Sequence, residues 1–567
     1  MKTMATQLSL LLNIGQRKSN VRLLLKFAGV LVFFFIAYSI LFHMLMLYEG
    51  REYSWITGFY WTLTTMSTLG FGDITFNSDL GKFFSVVVLL SGIVFLLVML
   101  PFTFIQFLYA PWLEEQNKAR APRAVAENMA GHVIFTHFDT VTTTLTEKLR
   151  QYGIDYVILI PDLQQALDLH DQGYAVILGA MDDPQTYRRL NVEKAILVVV
   201  LNDDITSTNV IYTIRETAGT VTTVTNADAD DSLDILQLAG STHVFQFTKL
   251  LGKALAHRVL GVSTKANIVG RFDQLLIAET PAMRTWLQGK TLAKSRLREI
   301  TGMTVVGLWE QGRFLIPTPQ AKMGESSVLL LAGTETQLDR FDRTIGDSAE
   351  ENPRKGPVVV LGGGRVGQAV ADTLNARGID YRVVEKRSGI VSRNSHFIQG
   401  SASDLEVLVK AGIKETPSII ITTHDDNLNI YLAIYCRRLR PDAQIISRAS
   451  LDRNINTLHR AGANLVMSFS SLVTATIMNL LQPQKMLMLS EGLHVFRTTL
   501  SPKHETKALL DLRIREKTGC SIVAIRRKGQ SIINPDPAIV LNKDDELVLI
   551  GTAESEKMVT DQYTKNI

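Results

Sequence analysis

The sequence predicts an α-helical membrane part with two spans joined by a re-entrant segment, followed by two tandem doubly wound α/β units, each carrying a small α+β lobe. Three observations predict it: apolar residues concentrate in the first hundred or so positions, composition turns soluble after Pro111, and the rest repeats internally. At 567 residues, 46% hydrophobic and 20% charged, the chain is too long for one core; a prior of about 150 residues per domain gives roughly four units. The mean hydropathy of +0.12 is slightly high for a soluble protein. A net charge of +4, with no basic tract interleaved with aromatics, makes nucleic acid a poor partner. Cys436 and Cys520 match no disulfide, metal or redox spacing, so they read as buried thiols in a reducing compartment.

After a segment over 1–26, the outer helix is expected over 27–47, where His43 is the one titratable basic side chain. At 1.5 Å per residue this run reaches across a hydrocarbon layer of ~30 Å. A cleavable leader is disfavoured, because the run starts late, is long and lacks a small-x-small site after it. A second uncharged run, Phe83 to Ala110, places the inner helix over 82–110 and exceeds one crossing, so it tilts or projects beyond the lipid. Pro101 removes a helix hydrogen bond and clashes with the preceding turn, which predicts a kink or break. Arg17, Lys18, Arg22 and Lys26 precede the first span, and Lys118, Arg120 and Arg123 follow the second. By the positive-inside rule both termini are cytoplasmic.

Between the spans, "WITGFYWTLTTMSTLGFGDITF" (Trp55 to Phe76) is too short and polar to cross alone. It reads as a short helix and then an irregular strand, a pore element over 55–73. Irregular backbone at membrane depth is tolerated where it lines a water- or ion-filled cavity, and alternate glycines let successive carbonyls turn to one axis. "TLGFG" resembles the TVGYG selectivity filter of potassium channels, and the order span, pore helix, filter, span resembles the two-transmembrane members of that family. The resemblance implies that the carbonyls of Thr68, Leu69, Gly70 and Phe71, with the Thr68 hydroxyl, replace the water shell of K⁺ in a filter that Gly72 completes. It also implies a homotetramer in lipid, in the cell (inner) membrane. Phe71 departs from the common tyrosine and removes a hydroxyl that can brace the filter. Gly92 and Pro101 are the candidate flexible points of the inner helix, Gly92 equally a close-packing position.

Beyond a linker over 111–129, "VILGAMDDPQTYRRLNVEKAILVVVLNDD" (from Val176) aligns with "FIQGSASDLEVLVKAGIKETPSIIITTHDD" (from Phe397), offset by 221 and then 222 residues. "REITGMTVVGLWEQG" (from Arg298) aligns with "REKTGCSIVAIRRKG" (from Arg515). The repeat places doubly wound lobes over 130–250 and 355–475, and smaller lobes over 251–350 and 476–567. This arrangement resembles the RCK domain, a Rossmann-like lobe with a small C-terminal lobe that regulates potassium channels and transporters, and implies a ligand-gated channel with a ring of such domains.

The second copy reads "VVVLGGGRVGQAVADTLNARGIDYRVVEKR": a β-run, Gly362-x-Gly364-x-x-Gly367, a helix, and a β-run ending at Glu385. These are the parts of a dinucleotide fingerprint, with pyrophosphate at the helix N-terminus beside Arg365 and Val366. Glu385 lies 23 residues after Gly362, near the roughly 20 expected of an acid on a ribose hydroxyl. It favours NAD(H) or an ADP/ATP-type ligand over NADP. By the family resemblance, "GSASD", with Ser401 and Ala402, and Arg448 flank the adenine end and the rim. In the first copy Thr136, Phe138 and Val141 replace the glycines, which argues against a dinucleotide there. Some relatives gate with Ca²⁺, which makes Asp183, Asp203, Asp204 and Asp228 candidate oxygen ligands; solvated loop acids and helix caps are the competing reading.

Two other functions compete. A weakly selective cation channel with the same gating is favoured only by Phe71. A membrane-anchored NAD-dependent oxidoreductase lacks an evident His, Tyr-Lys or Cys constellation for hydride chemistry and leaves TLGFG unexplained, so the chain reads as no enzyme.

Overall fold

The computed structural model describes residues 15–109, 121–259, 266–282, 285–310, 313–324, 327–346, 356–391, 395–482, 486–489, 493–504 and 507–564. The expected linker, up to residue 120, and the beginning of the N-terminal segment lie outside them. The chain divides into two units, residues 1–122 with 162–173 and residues 123–161 with 174–567.

In the first unit the outer helix runs Gly15–Tyr48 and is followed by Gly50 at φ +74°. Its apolar part, Leu25–Tyr48, and the stretch Asp79–Phe104 are each long and apolar enough to span a bilayer. Between them the pore helix Trp55–Met66 starts where Ser54 accepts the Thr57 N–H. Phe42, Trp61 and Phe76 pack at ring separations of 5.0–5.6 Å, which fixes the pore helix against the outer one. Glu49 accepts the backbone N–H groups of Asn77 and Ser78 and the Ser78 hydroxyl, tying the end of the outer helix to the cap of the inner one.

The inner helix begins at Asp79, earlier than the expected 82, because Ser78 caps it by accepting from Gly81. The helical path continues through Pro101 to Tyr109, so the chain is not broken there. The defect is instead taken up by widened π-type turns at Ile93–Met99 and Ile105–Tyr109, with Leu100 N–H reaching Phe95 O. Pro101 lies between them in the α segment Leu100–Phe104, where its ring and missing N–H preclude a regular i to i−4 bond.

In the second unit, strands β1 (Val133–Phe135), β2 (Tyr156–Ile160), β3 (Val176–Leu178), β4 (Leu197–Val200), β5 (Thr223–Asn226) and β6 (His243–Phe245) form a parallel sheet ordered β3-β2-β1-β4-β5-β6. An antiparallel sheet follows, built from β7 (Asn267–Phe272), β8 (Leu275–Pro281), β9 (Thr304–Glu310), β10 (Arg313–Leu315) and β11 (Ser327–Gly333). The second copy repeats this with β12 (Val358–Leu361), β13 (Tyr381–Glu385), β14 (Phe397–Gln399), β15 (Ser418–Ile421), β16 (Gln444–Ala449) and β17 (Leu465–Ser468), ordered β14-β13-β12-β15-β16-β17. Its small sheet holds β18 (Met486–Met488), β19 (Leu493–Thr499), β20 (Ser521–Arg527), β21 (Gln530–Ile533) and β22 (Glu546–Thr552). The apolar runs of β1, β4 and β12, and Ser418–Ile421 of β15, are buried throughout, as strands covered on both faces must be.

The copies agree down to single hydrogen bonds. Arg215 bonds the carbonyls of Gly240, Ala218 and Val221; its counterpart Arg437 bonds those of Gly462, Arg440 and Ala443. In the small lobes Arg296 and Arg513 both take left-handed backbone, at φ +48° and +49°, and the two small sheets share one apolar core that includes Leu330, Val495 and Val523. The doubly wound lobes pack reciprocally: helix Phe247–His257 lies on Arg365–Ala376, and Thr140–Gln151 on Phe469–Leu481. At the first contact a Cβ on Gly252 would lie 2.5 Å from Ala369 Cβ and 2.8 Å from Val366 O. Gly252→Leu is therefore expected to cost about 1–3 kcal/mol through overpacking and to lower the thermal midpoint of the purified protein. Gly219→Ala, in open space, serves as the control.

Candidate functional site

At the filter the backbone alternates. Thr68, Gly70 and Gly72 have φ of +62°, +46° and +74°, while Leu69 and Phe71 keep negative φ. Alternation of hand turns successive peptide planes the same way, so carbonyls that would point to opposite sides of a strand can face one axis. A β-branched residue in the left-handed region is strained by about 1–3 kcal/mol, and Thr68 carries that strain. The segment is held from the pore helix, with Thr68 N–H donating to Thr65 O and Gly70 N–H to Thr64 O at 3.1 Å each. The sequence reading missed a brace: the Tyr60 hydroxyl donates to Asp73 Oδ2 at 3.0 Å, and the Phe71 ring stacks on Tyr60 at 6.3 Å and 10°. A hydroxyl absent from Phe71 is thus present on the pore helix. Gly92 takes ordinary helical angles, and a Cβ there would meet the Met66 carbonyl oxygen at 2.3 Å, so its place in the structure is that of a close-packing glycine.

In the second doubly wound lobe the chain leaves β12 at Gly362, φ +108°, whose carbonyl accepts the Thr422 hydroxyl at 2.7 Å. Gly364 opens helix Arg365–Ala376. A Cβ on Gly367 would sit 1.8 Å from Gly362 O, whereas on Gly364 the nearest atom, an Arg387 nitrogen, would lie 3.5 Å away. Packing therefore demands glycine at 367, while Gly364 faces free space at the helix N-terminus, the approach a pyrophosphate needs. This turn lies at the C-terminal edge of the sheet, where strand order reverses between β12 and β15, the position at which such folds hold ligands.

Glu385 ends β13 beside that turn. Its carboxylate accepts from Gly363 N–H at 2.7 Å and from Arg387 N–H and Nε at 2.9 and 3.0 Å. Burial works to raise its pKa, but the Arg387 and Gly363 hydrogen bonds overcome burial and hold it below the usual glutamate value. Arg387, unremarked in the sequence, is thus the partner that keeps Glu385 charged. Ser401 is exposed in the turn after β14, with Ala402 packed against the apolar core beside it. Arg448, on β16, lies at the same sheet edge two strands from the glycine turn. It is largely buried over the Phe469 ring at 5.6 Å, and burial lowers its pKa. Its Nε has no partner among the described residues.

The acids of the first lobe are accounted for by the fold. Asp183 caps a helix by accepting from Gln185 N–H, and Asp203 from Ile205 and Thr206. Asp204 accepts from Asp228 and Ala229 N–H. In the second copy Asp404, Asp425 and Asp426 accept from Glu406, Asn427 and Ser450 in the same way. Asp228 pairs with Arg365 at 2.6 Å, from the first lobe to the helix of the glycine turn. Among the described residues no group of three His, Cys, Asp or Glu side chains lies together as a metal ion would need, and what the fold shows for Asp183, Asp203, Asp204 and Asp228 is their capping, loop-tie and ion-pair contacts. In the first copy, Thr136 donates to Asn202 Oδ1 at 2.6 Å, and Phe138 packs edge-on against Tyr174, where the second copy has its open turn.

Comparison with known proteins covers the whole architecture. The ion channel family model matches residues 28–109, the TrkA-N domain model residues 133–247 and 358–469, and the TrkA-C domain model residues 500–563. A probable potassium channel protein 2 of Methanocaldococcus jannaschii is 27% identical over 254 residues, covering 41% of this chain and 74% of the relative. The GsuK channel bound to NAD is 34% identical, covers 96% of this chain and 99% of its own, and superposes with a TM-score of 0.57. The GsuK RCK domain is 32% identical and covers 80% of this chain and 99% of its own, at a TM-score of 0.56.

Two substitutions separate packing from ligand access in the glycine turn. Gly367→Ala is expected to destabilise the protein by about 1–3 kcal/mol, as overpacking against backbone does, visible as a lower thermal midpoint. Gly364→Ala is expected to leave the midpoint nearly unchanged, because a Cβ there has no atom nearer than 3.5 Å.

Proposed function

The chain belongs to the family of potassium channels with TrkA-type (RCK) regulatory domains, and from that premise we propose that nucleotide on the second doubly wound lobe gates K⁺ flow through the Thr68–Gly72 backbone. The observation that carries the reading is the pairing of an open Gly364 with a packed Gly367 at the sheet's switch point. NAD(H) or an ADP/ATP-type nucleotide places its pyrophosphate at the Gly362, Gly364, Arg365, Val366 and Gly367 turn and its ribose at Glu385. Ser401, Ala402 and Arg448 lie along the rim. The GsuK channel, a relative over nearly the full length, has been solved bound to NAD, which supports the same ligand class here.

In this reading four copies surround the ion, the protein resides in the cell membrane, and both termini are cytoplasmic. Ligand acts by favouring one arrangement of the regulatory domains over another, since only differential affinity shifts a gate. The π-type turns on either side of Pro101 are the flexible point of the inner helix, because a register of i to i−5 hydrogen bonds is easily converted to the α register; Gly92 is fixed by its contact with Met66.

Calorimetric titration of the purified channel with NAD is expected to show saturable binding that Gly364→Asp abolishes; unchanged binding in the variant would place the site elsewhere. Because Glu385 has a depressed pKa, its contribution to the turn is fully present above the ordinary glutamate pKa of about 4.3 and is lost as pH falls through the depressed value. Affinity should therefore be flat across neutral pH and decline only in acid. In proteoliposomes, K⁺ flux should exceed Na⁺ flux. Tyr60→Phe, by freeing Asp73, should shorten openings or narrow that ratio, and equal fluxes in the wild type would sink the selectivity claim.

A further inference from the structure

The helix that opens at Gly364 begins with Arg365, and the first copy of the repeat supplies that side chain's partner: Asp228 Oδ1 lies 2.6 Å from Arg365 Nη1. Asp228 is placed by its own lobe. Its backbone N–H donates to Asp204 Oδ1 at 2.8 Å, and the oxygen that faces Arg365 also accepts from Asn226 Nδ2 at 2.9 Å. Asp204 is the first residue of helix Asp204–Thr217, so the carboxylate stands on a loop pinned through both backbone and side chain.

The second copy pins the corresponding loop in the same way, with Ser450 and Leu451 N–H donating to Asp426. The position equivalent to Asp228 is therefore Ser450, which carries no charge. In the first copy helix Thr140–Gln151 is capped by Asp139 and has no basic residue in its first turn. Duplication has kept the loop, but a cross-copy charge pair is available at the open turn and not at the filled one.

Arg365 also feels the second cation of that sheet edge. Burial, opposed by Asp426 and assisted by the charge of Arg365, lowers the pKa of Arg448. The side chains of Arg365 and Asp228 are 60% and 39% exposed, so a ligand can reach the pair. An exposed carboxylate–guanidinium pair is weakly held, whereas phosphate at a helix N-terminus gains backbone N–H groups together with a charge-assisted bond from arginine.

We infer that Asp228 is an internal competitor for Arg365 that sets the charge selectivity of the nucleotide site, a role that rests on nucleotide occupying the glycine turn. Ligand phosphate takes Arg365 only against a resident carboxylate, and the opposition grows with the charge the ligand brings to that side chain. A terminal phosphate carries about −1.5 to −2 near pH 7 and draws on Arg365 more than the singly charged phosphates of a dinucleotide do. Asp228 therefore favours NAD over ADP. Binding exchanges the Asp228 contact for the ligand, which loosens the surface tie between the two copies.

The test is calorimetric titration of the full-length channel in detergent with NAD and with ADP. Asp228→Asn removes the charge and is expected to tighten ADP about tenfold and NAD no more than about threefold, with a thermal midpoint close to wild type. Asp228→Glu, which keeps the charge, should stay near the wild-type ratio of the two affinities. A ratio unchanged by Asp228→Asn, or moved as far by Asp228→Glu, overturns the competitor role. Gly364→Asp separates the two levels. If it abolishes binding while the ratio stays fixed in Asp228→Asn, the competitor role alone falls; if it leaves binding unchanged, or if neither nucleotide binds the wild type, the nucleotide reading of the turn falls and the competitor role with it.

Discussion

The backbone-to-backbone approach of helix Phe247–His257 to helix Arg365–Ala376, made possible by Gly252, is the contact on which the soluble architecture rests. It puts the last helix of one doubly wound lobe directly against the helix that carries the glycine turn, with no side chain between Gly252 and the Val366 carbonyl. The reciprocal contact between Thr140–Gln151 and Phe469–Leu481 follows from the duplication, and together they bury each lobe's helices against the other copy. The Arg365–Asp228 ion pair then crosses the same junction at the surface. Such an exposed pair contributes little stability, about 0–1 kcal/mol; it places the first lobe within reach of whatever binds the turn.

Duplication also explains which residues look functional without being so. Acids at strand ends invite a metal reading in the first copy, yet the same acids recur in the second as helix caps and as acceptors for the neighbouring loop. Arg215 and Arg437 likewise collect the carbonyls that end a helix and a strand, a half-buried cation bonded to dipoles. Where the copies differ, the difference falls on the turn after the first strand. One copy fills it with Thr136 and Phe138, and the other leaves it open at Gly364.

The pore unit shows the same division between packing and purpose. Gly58, Gly81 and Gly92 lie where a Cβ would strike a neighbouring side chain or backbone, whereas Gly70 has nothing within 4 Å and serves backbone direction alone. Thr68, strained in the left-handed region, is kept there by hydrogen bonds from the pore helix. Tyr60 holds Asp73 on the far side of the filter, so both ends of the unwound segment are anchored.

Sequence by itself determined the two long apolar helices, the unwound Thr68–Gly72 segment, the repeat and the glycine turn, because each is written in residues whose chemistry is local: uncharged runs long enough for lipid, alternate glycines, a β-run feeding Gly-x-Gly. It also reached Glu385 by spacing. It did not reach Arg387, which keeps Glu385 charged, or Tyr60, which bonds Asp73, since both act through side-chain geometry that no short pattern encodes. Pro101 and the aspartates were read for what those residue types do most often, a helix break and a hard-ion site. Tertiary structure decided how each is accommodated: the helix leaves the α register on both sides of Pro101, and the aspartates accept backbone N–H groups or pair with Arg365.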